Sequence, residues 1–230
     1  MPVGFRVYLK RSMPPEELIE AYSKLSTACI ADCMGRLCAL HPRIKLVSSP
    51  KNVMAGAALT VKTRSGDNLM LHKALNLCTA GDILIVANGG DETRSLLGEN
   101  MVALALQKHV SGIVIDGPVR DIASLCKTSL PIYANGTTPG GPYKEGPGEI
   151  NVPISCGEIS IHPGDVIVGD ADGVIVIPIA DASEILKAAQ TFALKDAEKL
   201  NRSKAGTADS AWVDKTLQEK GCEIIDDIFP

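Results

Sequence analysis

Two short runs in this sequence of 230 residues carry groups suited to chemistry on a small anion. In Asp116-Gly117-Pro118-Val119-Arg120-Asp121, an arginine stands beside an aspartate just past Ile113-Val114-Ile115, which reads as a buried strand. Ligands collect at strand ends of open α/β sheets. The pair offers guanidinium donors for an oxyanion and a hard oxygen ligand for a divalent cation. A surface salt bridge accounts for the same two residues equally well. The second run, Gly98-Glu99-Asn100-Met101, follows the loop Gly89-Gly90-Asp91 and opens a helix whose first amides lack intrahelical acceptors, a setting that suits a carboxylate. Taken alone, it is better explained as a plain capped helix.

Other chemistries lack their signatures. No Gly-x-x-x-x-Gly-Lys-Ser/Thr, no Gly-x-Gly-x-x-Gly after a strand and no Gly-x-Ser-x-Gly occurs. His41, His72, His109 and His162 have no metal-ligand spacing and read as surface or capping residues. Cys29 and Cys33 lie four apart on an expected helix, but no second Cys/His pair follows at zinc-site spacing, so they read as small buried hydrophobes.

The elements that must position these residues follow from periodicity and turn chemistry. Pro14-Pro15-Glu16-Glu17 reads as the first turn of a helix to about Leu25, and a second runs from Ser26 or Thr27 to Gly35. Apolar residues at odd positions from Val53 to Val61 predict a strand, and Asp67 is placed to cap a helix reaching Cys78. Ile83-Leu84-Ile85-Val86, a helix over 98–108 and a strand over 112–116 form a βαβ unit. A short helix starts near Asp121, and Pro131-Ile132-Tyr133 is a strand. Residues 135–148 hold five glycines and three prolines and are read as an ordered or mobile loop without regular structure. Three short β segments follow at 158–161, 165–169 and 173–178, then helices over 181–202 and 207–220. The expectation is a single α/β domain over 1–230, with its core at about 20–180 and a helical C-terminal extension at about 181–220.

Composition narrows the function classes. Twenty-three basic against 27 acidic residues, a net charge of −4 and 3% aromatics argue against a phosphate-neutralising or base-stacking surface, so no nucleic-acid partner is expected. The longest apolar runs are far below the ~20 residues that cross a bilayer, so a soluble protein without a membrane partner is expected. The start Met1-Pro2-Val3-Gly4-Phe5-Arg6 lacks a secretory pattern, and the seven cysteines read as reduced, which together predict a cytoplasmic location.

The run Gly66-Asp67-Asn68 with Leu71-His72, then Gly89-Gly90-Asp91, Gly98-Glu99, Asp116 to Asp121, Asn151-Val152-Pro153 and Gly164-Asp165 to Val174 resembles the RraA-like family over about residues 20–205. That family includes divalent-metal class II pyruvate aldolases such as 4-hydroxy-4-methyl-2-oxoglutarate aldolase, oxaloacetate decarboxylases, and inhibitors of ribonuclease E. The resemblance implies an α/β/α core similar to swivelling phosphohistidine domains, assembled as a homotrimer or homohexamer. It further implies that the amides of Gly98, Glu99, Asn100 and Met101 hold the carboxylate of a 2-oxo acid substrate, that Arg120 contacts its oxygens, and that Asp121 holds Mg²⁺ or Mn²⁺. The pair Arg120 and Asp121 is then catalytic, since such a cation and a preorganised guanidinium both stabilise a pyruvate enolate.

Ser124 departs from the acidic residue that aldolases of the family tend to carry three positions after the metal-binding aspartate, and Glu198 is the candidate for the acid expected from a neighbouring subunit. The rival to a lyase is a non-enzymatic regulator of an RNA-degrading enzyme, whose representatives usually lack the Arg-Asp pair. A Schiff-base aldolase using Lys62 or Lys73 is a third reading, without a recognisable motif behind either lysine. The Gly/Pro loop, with Tyr143, Lys144 and Glu145, suits either substrate specificity or subunit packing.

Overall fold

The computed structural model describes residues 3–228. In chain order the elements are β1 (Arg6–Val7), α1 (Glu16–Tyr22), α2 (Thr27–Cys33), β2 (Lys45–Leu46), β3 (Met54–Thr63), α3 (Leu69–Leu77), β4 (Asp82–Ala87), α4 (Glu99–Gln107) and β5 (Gly112–Val119). There follow α5 (Ile122–Leu125), β6 (Ile132–Thr137), β7 (Gly148–Ile150), β8 (Ile154–Cys156), β9 (Ile159–Ile161), β10 (Val166–Asp170), β11 (Gly173–Ile177), α6 (Ala182–Lys204) and α7 (Ala211–Glu219). The fold is mixed α/β, with two compact units that divide after Gln190.

The first unit is built on a nine-stranded sheet in the order β1-β7-β3-β4-β5-β6-β2, with β10 and β11 joined through β3. Its centre, β3 to β6, is parallel. All six residues of β4 are buried, as strands covered on both faces require. One edge of β3 pairs with β4. Its other edge is shared: Met54–Ala57 against β10, and Val61–Thr63 against β7, both antiparallel.

Alternate residues of the central strands enter two separate cores. Leu59, Val61, Leu84, Val86, Ile113 and Ile115 pack with Leu71, Leu75, Met101, Val102 and Leu125 of α3, α4 and α5. On the opposite face Ala58, Ile83, Ile85 and Val114 meet Leu40, Ile44, Val152, Ile154, Cys156 and Ile161, none of which is helical. The α/β/α layering expected from the resemblance is therefore replaced on that face by the β8–β9 hairpin and irregular chain. From this hairpin Ile154, Cys156 and Ile161 enter that core.

The remaining differences from the sequence reading lie in the shortest pieces. β1, β2, β7 and β8 have two or three residues each, too few for a period to register. The stretch 135–148 is not wholly irregular, since β6 runs on to Thr137 and β7 opens at Gly148. Asp67 accepts from the Leu69 amide at 2.9 Å, but the residue at the helix boundary is Asn68. In the second unit, 191–228, no residue is buried. Trp212 of α7 is 64% exposed. All seven cysteines are free thiols, with Cys29 and Cys33 half-buried rather than buried. Among the described residues no helix is long and apolar enough to cross a membrane.

Candidate active site

The loop between β4 and α4 returns alongside the end of β5. Leu96 N donates to Pro118 O at 3.0 Å and Arg120 N to Leu97 O at 2.9 Å, so Gly98 arrives directly beside Arg120 and Asp121. A Cβ built on Gly98 would lie 2.5 Å from Asp121 Oδ2 and 3.0 Å from Arg120 Nε. The glycine is required by this close approach and not by its backbone angle, since its φ of −141° is extended.

Asp121 occupies the left-handed region, with φ +61° and ψ +36°. For a residue with a Cβ this costs on the order of 1 kcal/mol, less for aspartate than for most. Its Oδ2 accepts from the Glu99 amide at 2.9 Å and stands 3.8 Å from Arg120 Nε, with both side chains nearly half exposed. An exposed pair at that separation contributes about 0–1 kcal/mol. Stability alone therefore gives little reason to hold this conformation, and the salt-bridge reading loses ground.

Arg120, Asp121, Gly98, Asn100 and Met101 line one cleft of about 280 Å³. The pair also lines a second hollow of about 390 Å³, together with Ile122, Thr137, Thr138 and Pro139. Two of the four nominated amides already have protein acceptors: Glu99 N serves Asp121, and Met101 N donates to Gly98 O at 3.0 Å. The Gly98 and Asn100 amides have no protein acceptor among the described residues. Met101 also receives a hydrogen bond at its sulfur from Asn68 Nδ2, at 3.5 Å.

The cleft also includes residues outside the two runs that carry the Arg-Asp pair and the start of α4. Asn68 and His72 line it from the first turns of α3, and Lys144 from the Gly/Pro loop. His72 is thus neither a cap nor a plain surface residue. Burial, and secondarily the positive charge of Lys144, holds its imidazole below the ordinary histidine range. The spacing of Asn68 and His72, one helical turn apart, was the available signal. The sequence leaves Lys144 open between substrate specificity and subunit packing, and its place in the cleft comes from residues 138–147 forming a strap whose path depends on partners elsewhere in the chain. Ser95 donates from N and Oγ to Gly140 O, Arg94 Nη1 to Gly141 O at 3.0 Å, and Tyr143 N to Gly66 O at 2.8 Å. The Arg94 guanidinium also lies 4.1 Å from the centre of the Tyr143 ring.

The two lysines of the Schiff-base reading lie outside the cleft. Lys62 lines a separate hollow beside β8, and Lys73 one beside β1. Ser124 is half-buried in α5, and Glu198 is exposed on α6. Among the described residues no three His, Cys, Asp or Glu side chains gather as a metal cluster.

The family described as RraA-like (Aldolase/RraA) matches residues 27–176. A protein of Halalkalibacterium halodurans, provisionally named 4-hydroxy-4-methyl-2-oxoglutarate aldolase, is 40% identical over 174 residues, which is 76% of this chain and 82% of its own length. The 4-hydroxy-4-methyl-2-oxoglutarate aldolase of Thermus thermophilus is 36% identical over 112 residues, covering 49% of this chain and 68% of that one. Among solved structures, Streptomyces coelicolor RraAS2, described as an unusual member of the RNase ES inhibitor RraA family, is 27% identical. Its TM-score is 0.72, over 84% of this chain and 99% of that one.

Proposed function

The chain belongs to the RraA-like family, and from that premise we propose that it is a divalent-metal-dependent lyase. It cleaves 4-hydroxy-2-oxo acids to pyruvate by a retro-aldol reaction and decarboxylates oxaloacetate in the same cleft. The observation that carries this reading is the meeting of Arg120, Asp121 and the start of α4 around one hollow.

The donor set fits Mg²⁺ or Mn²⁺. Asp121 Oδ1 has no protein donor among the described residues, while Oδ2 is steadied by the Glu99 amide. One hard carboxylate, with water and substrate oxygens completing the shell, is a usual way to hold these ions, whereas zinc favours a closed Cys/His cage. When bound, such a cation acts as a Lewis acid on the 2-oxo group.

The chain's own residues do the rest. The amides of Gly98 and Asn100 take the substrate carboxylate at the positive end of α4. The Glu99 amide orients Asp121, and the Met101 amide closes the first turn, which revises the four-amide arrangement implied by the resemblance. Arg120 supplies preorganised donors where enolate charge develops, whether the departing group is an aldehyde, a ketone or carbon dioxide. Lys144 adds a second positive charge on the strap side, which favours substrates bearing a second carboxylate. His72, kept neutral, adds a hydrogen-bonding group without a third charge.

A second reading, regulation of an RNA-degrading enzyme by protein contact, draws support from the likeness to ribonuclease inhibitors. The Arg120–Asp121 pair favours catalysis. Assembly as a trimer or hexamer belongs to the same proposal, and the absence of any buried residue in 191–228 supports an additional contact for that unit. Purified protein given 4-hydroxy-4-methyl-2-oxoglutarate or oxaloacetate with Mg²⁺ is expected to release pyruvate well above an Asp121→Asn control. Wild-type rates equal to that control, together with inhibition of a ribonuclease E activity, would transfer the assignment to the regulator.

A further inference from the structure

Asp67 stands just before α3 and is fully buried. A carboxylate removed from water is costly unless donors replace its hydration. Three backbone amides do so here. Leu69 N donates to Oδ1 at 2.9 Å, and Glu145 N and Gly146 N donate to Oδ2 at 2.7 and 2.8 Å. These donors belong to two segments of the cleft. Leu69 opens the helix that carries His72, whereas Glu145 and Gly146 follow Lys144 on the strap. The neighbouring Asn68 reinforces the same junction, donating from N to Tyr143 O at 3.0 Å and from Nδ2 to Leu96 O at 2.9 Å.

We propose that Asp67 is a positioning residue that latches the strap to the start of α3 and thereby sets where Lys144 stands in the cleft. It touches no substrate. Its two oxygens are both acceptors, so a single side chain can bind N–H groups from both sides of the junction, which no neutral side chain of that size does. Bonds to a charged acceptor are among the stronger ones available to a loop.

Asp67→Asn tests the latch. Its oxygen can still accept from Leu69, but its NH₂ group would face the Glu145 and Gly146 amides, donor against donor. The kinetic arm rests on the lyase reading; the exchange arm does not. In kinetics, KM for 4-hydroxy-4-methyl-2-oxoglutarate is expected to rise by up to about tenfold, no more than loss of the Lys144 ammonium itself produces, with kcat nearly unchanged. Combined with Lys144→Met, the variant is expected to lose little beyond Lys144→Met alone, because both act through the same ammonium. In hydrogen exchange, the Glu145 and Gly146 amides should exchange faster while those of β4 and β5 keep their wild-type rates.

Independent, multiplicative losses in the double variant, a fall in kcat at unchanged KM, or unchanged strap exchange would each overturn the latch. Failure of the wild type to release pyruvate would defeat the lyase reading and leave the exchange result to decide the latch. If Asp67→Asn does not fold, Asp67→Ser, which keeps one small acceptor, is judged by the same measurements.

Discussion

One wall of the cleft is made from the end of β5 and the start of α4, the other from a strap with no regular structure, and they are held by different forces. In the first, Arg120 and Asp121 inherit their places from a buried strand and from backbone bonds to Leu97 and Glu99. In the second, Lys144 is placed by side chains of Asp67, Arg94 and Ser95 reaching to strap backbone. A wall fixed by the sheet can hold reacting atoms to the tolerance chemistry demands. A wall fixed by a few local bonds is better suited to deciding what binds. Substitutions on the first should act mainly on kcat, and those on the second mainly on KM.

Asp121→Asn should have the largest effect. Replacing the proposed cation ligand by a neutral amide is expected to lower activity on the order of 10³ at low Mg²⁺, with partial recovery at high Mg²⁺. Metal titration of the rate checks this, and full activity after exhaustive EDTA treatment would remove the cation from the proposal. Arg120→Lys keeps the charge but loses the planar fork, so steady-state kinetics should show kcat lower by about 10²–10³ with metal affinity unchanged.

Gly98→Ala sharpens the contrast because it alters no functional group. Its methyl must displace Asp121 Oδ2 or Arg120 Nε, and misplacement of that kind costs about 10² in kcat/KM. Thermal melting should barely move, since the displaced side chains are exposed. On the opposite wall, Lys144→Met is expected to raise KM about tenfold with little change in kcat, and added salt should shrink the difference between the two proteins. A loss of kcat as large as that of Arg120→Lys would abolish the distinction between the walls.

The smallest expected effect is on stability. His72 has a folded-state pKa below its ordinary 6.5 because of burial and the charge of Lys144. The unfolded chain therefore binds its proton more readily. The contribution is present above pH 6.5 and is lost as pH falls from there toward the lower folded value. Urea melts of wild type and His72→Asn should diverge in slope against pH within that window and run parallel above it.

The same contrast explains what could be read from sequence. The runs Ile83-Leu84-Ile85-Val86 and Ile113-Val114-Ile115 are long and apolar enough to reveal strands, and Arg120-Asp121 follows the second directly. Residues positioned by their own element are visible in this way. Lys144 is left open between specificity and subunit packing, because its place depends on Asp67, some 77 positions earlier and legible as a helix cap. Nor could sequence reveal that the Glu99 amide serves Asp121. That pairing arises where a loop from β4 returns beside β5, a long-range approach with no local period. On the second face of the sheet, the segment at 158–161 is legible as β, but its partner Ile154–Cys156 is too short to register, and the helical layer expected there comes from the resemblance.

The divided edge of β3 bears on how this chain is made. Its first residues wait for β10 and its last for β7, both encoded after the β5 loop that carries Arg120 and Asp121. A nascent chain emerging from the ribosome can therefore pair β3 with β4 and β5 while the outer edge of β3 still offers unpaired backbone to any neighbouring strand. Such pairings between distant segments are slow and expose the chain to aggregation until they close. Closure of that edge is therefore among the last pairings this chain can complete as it is made.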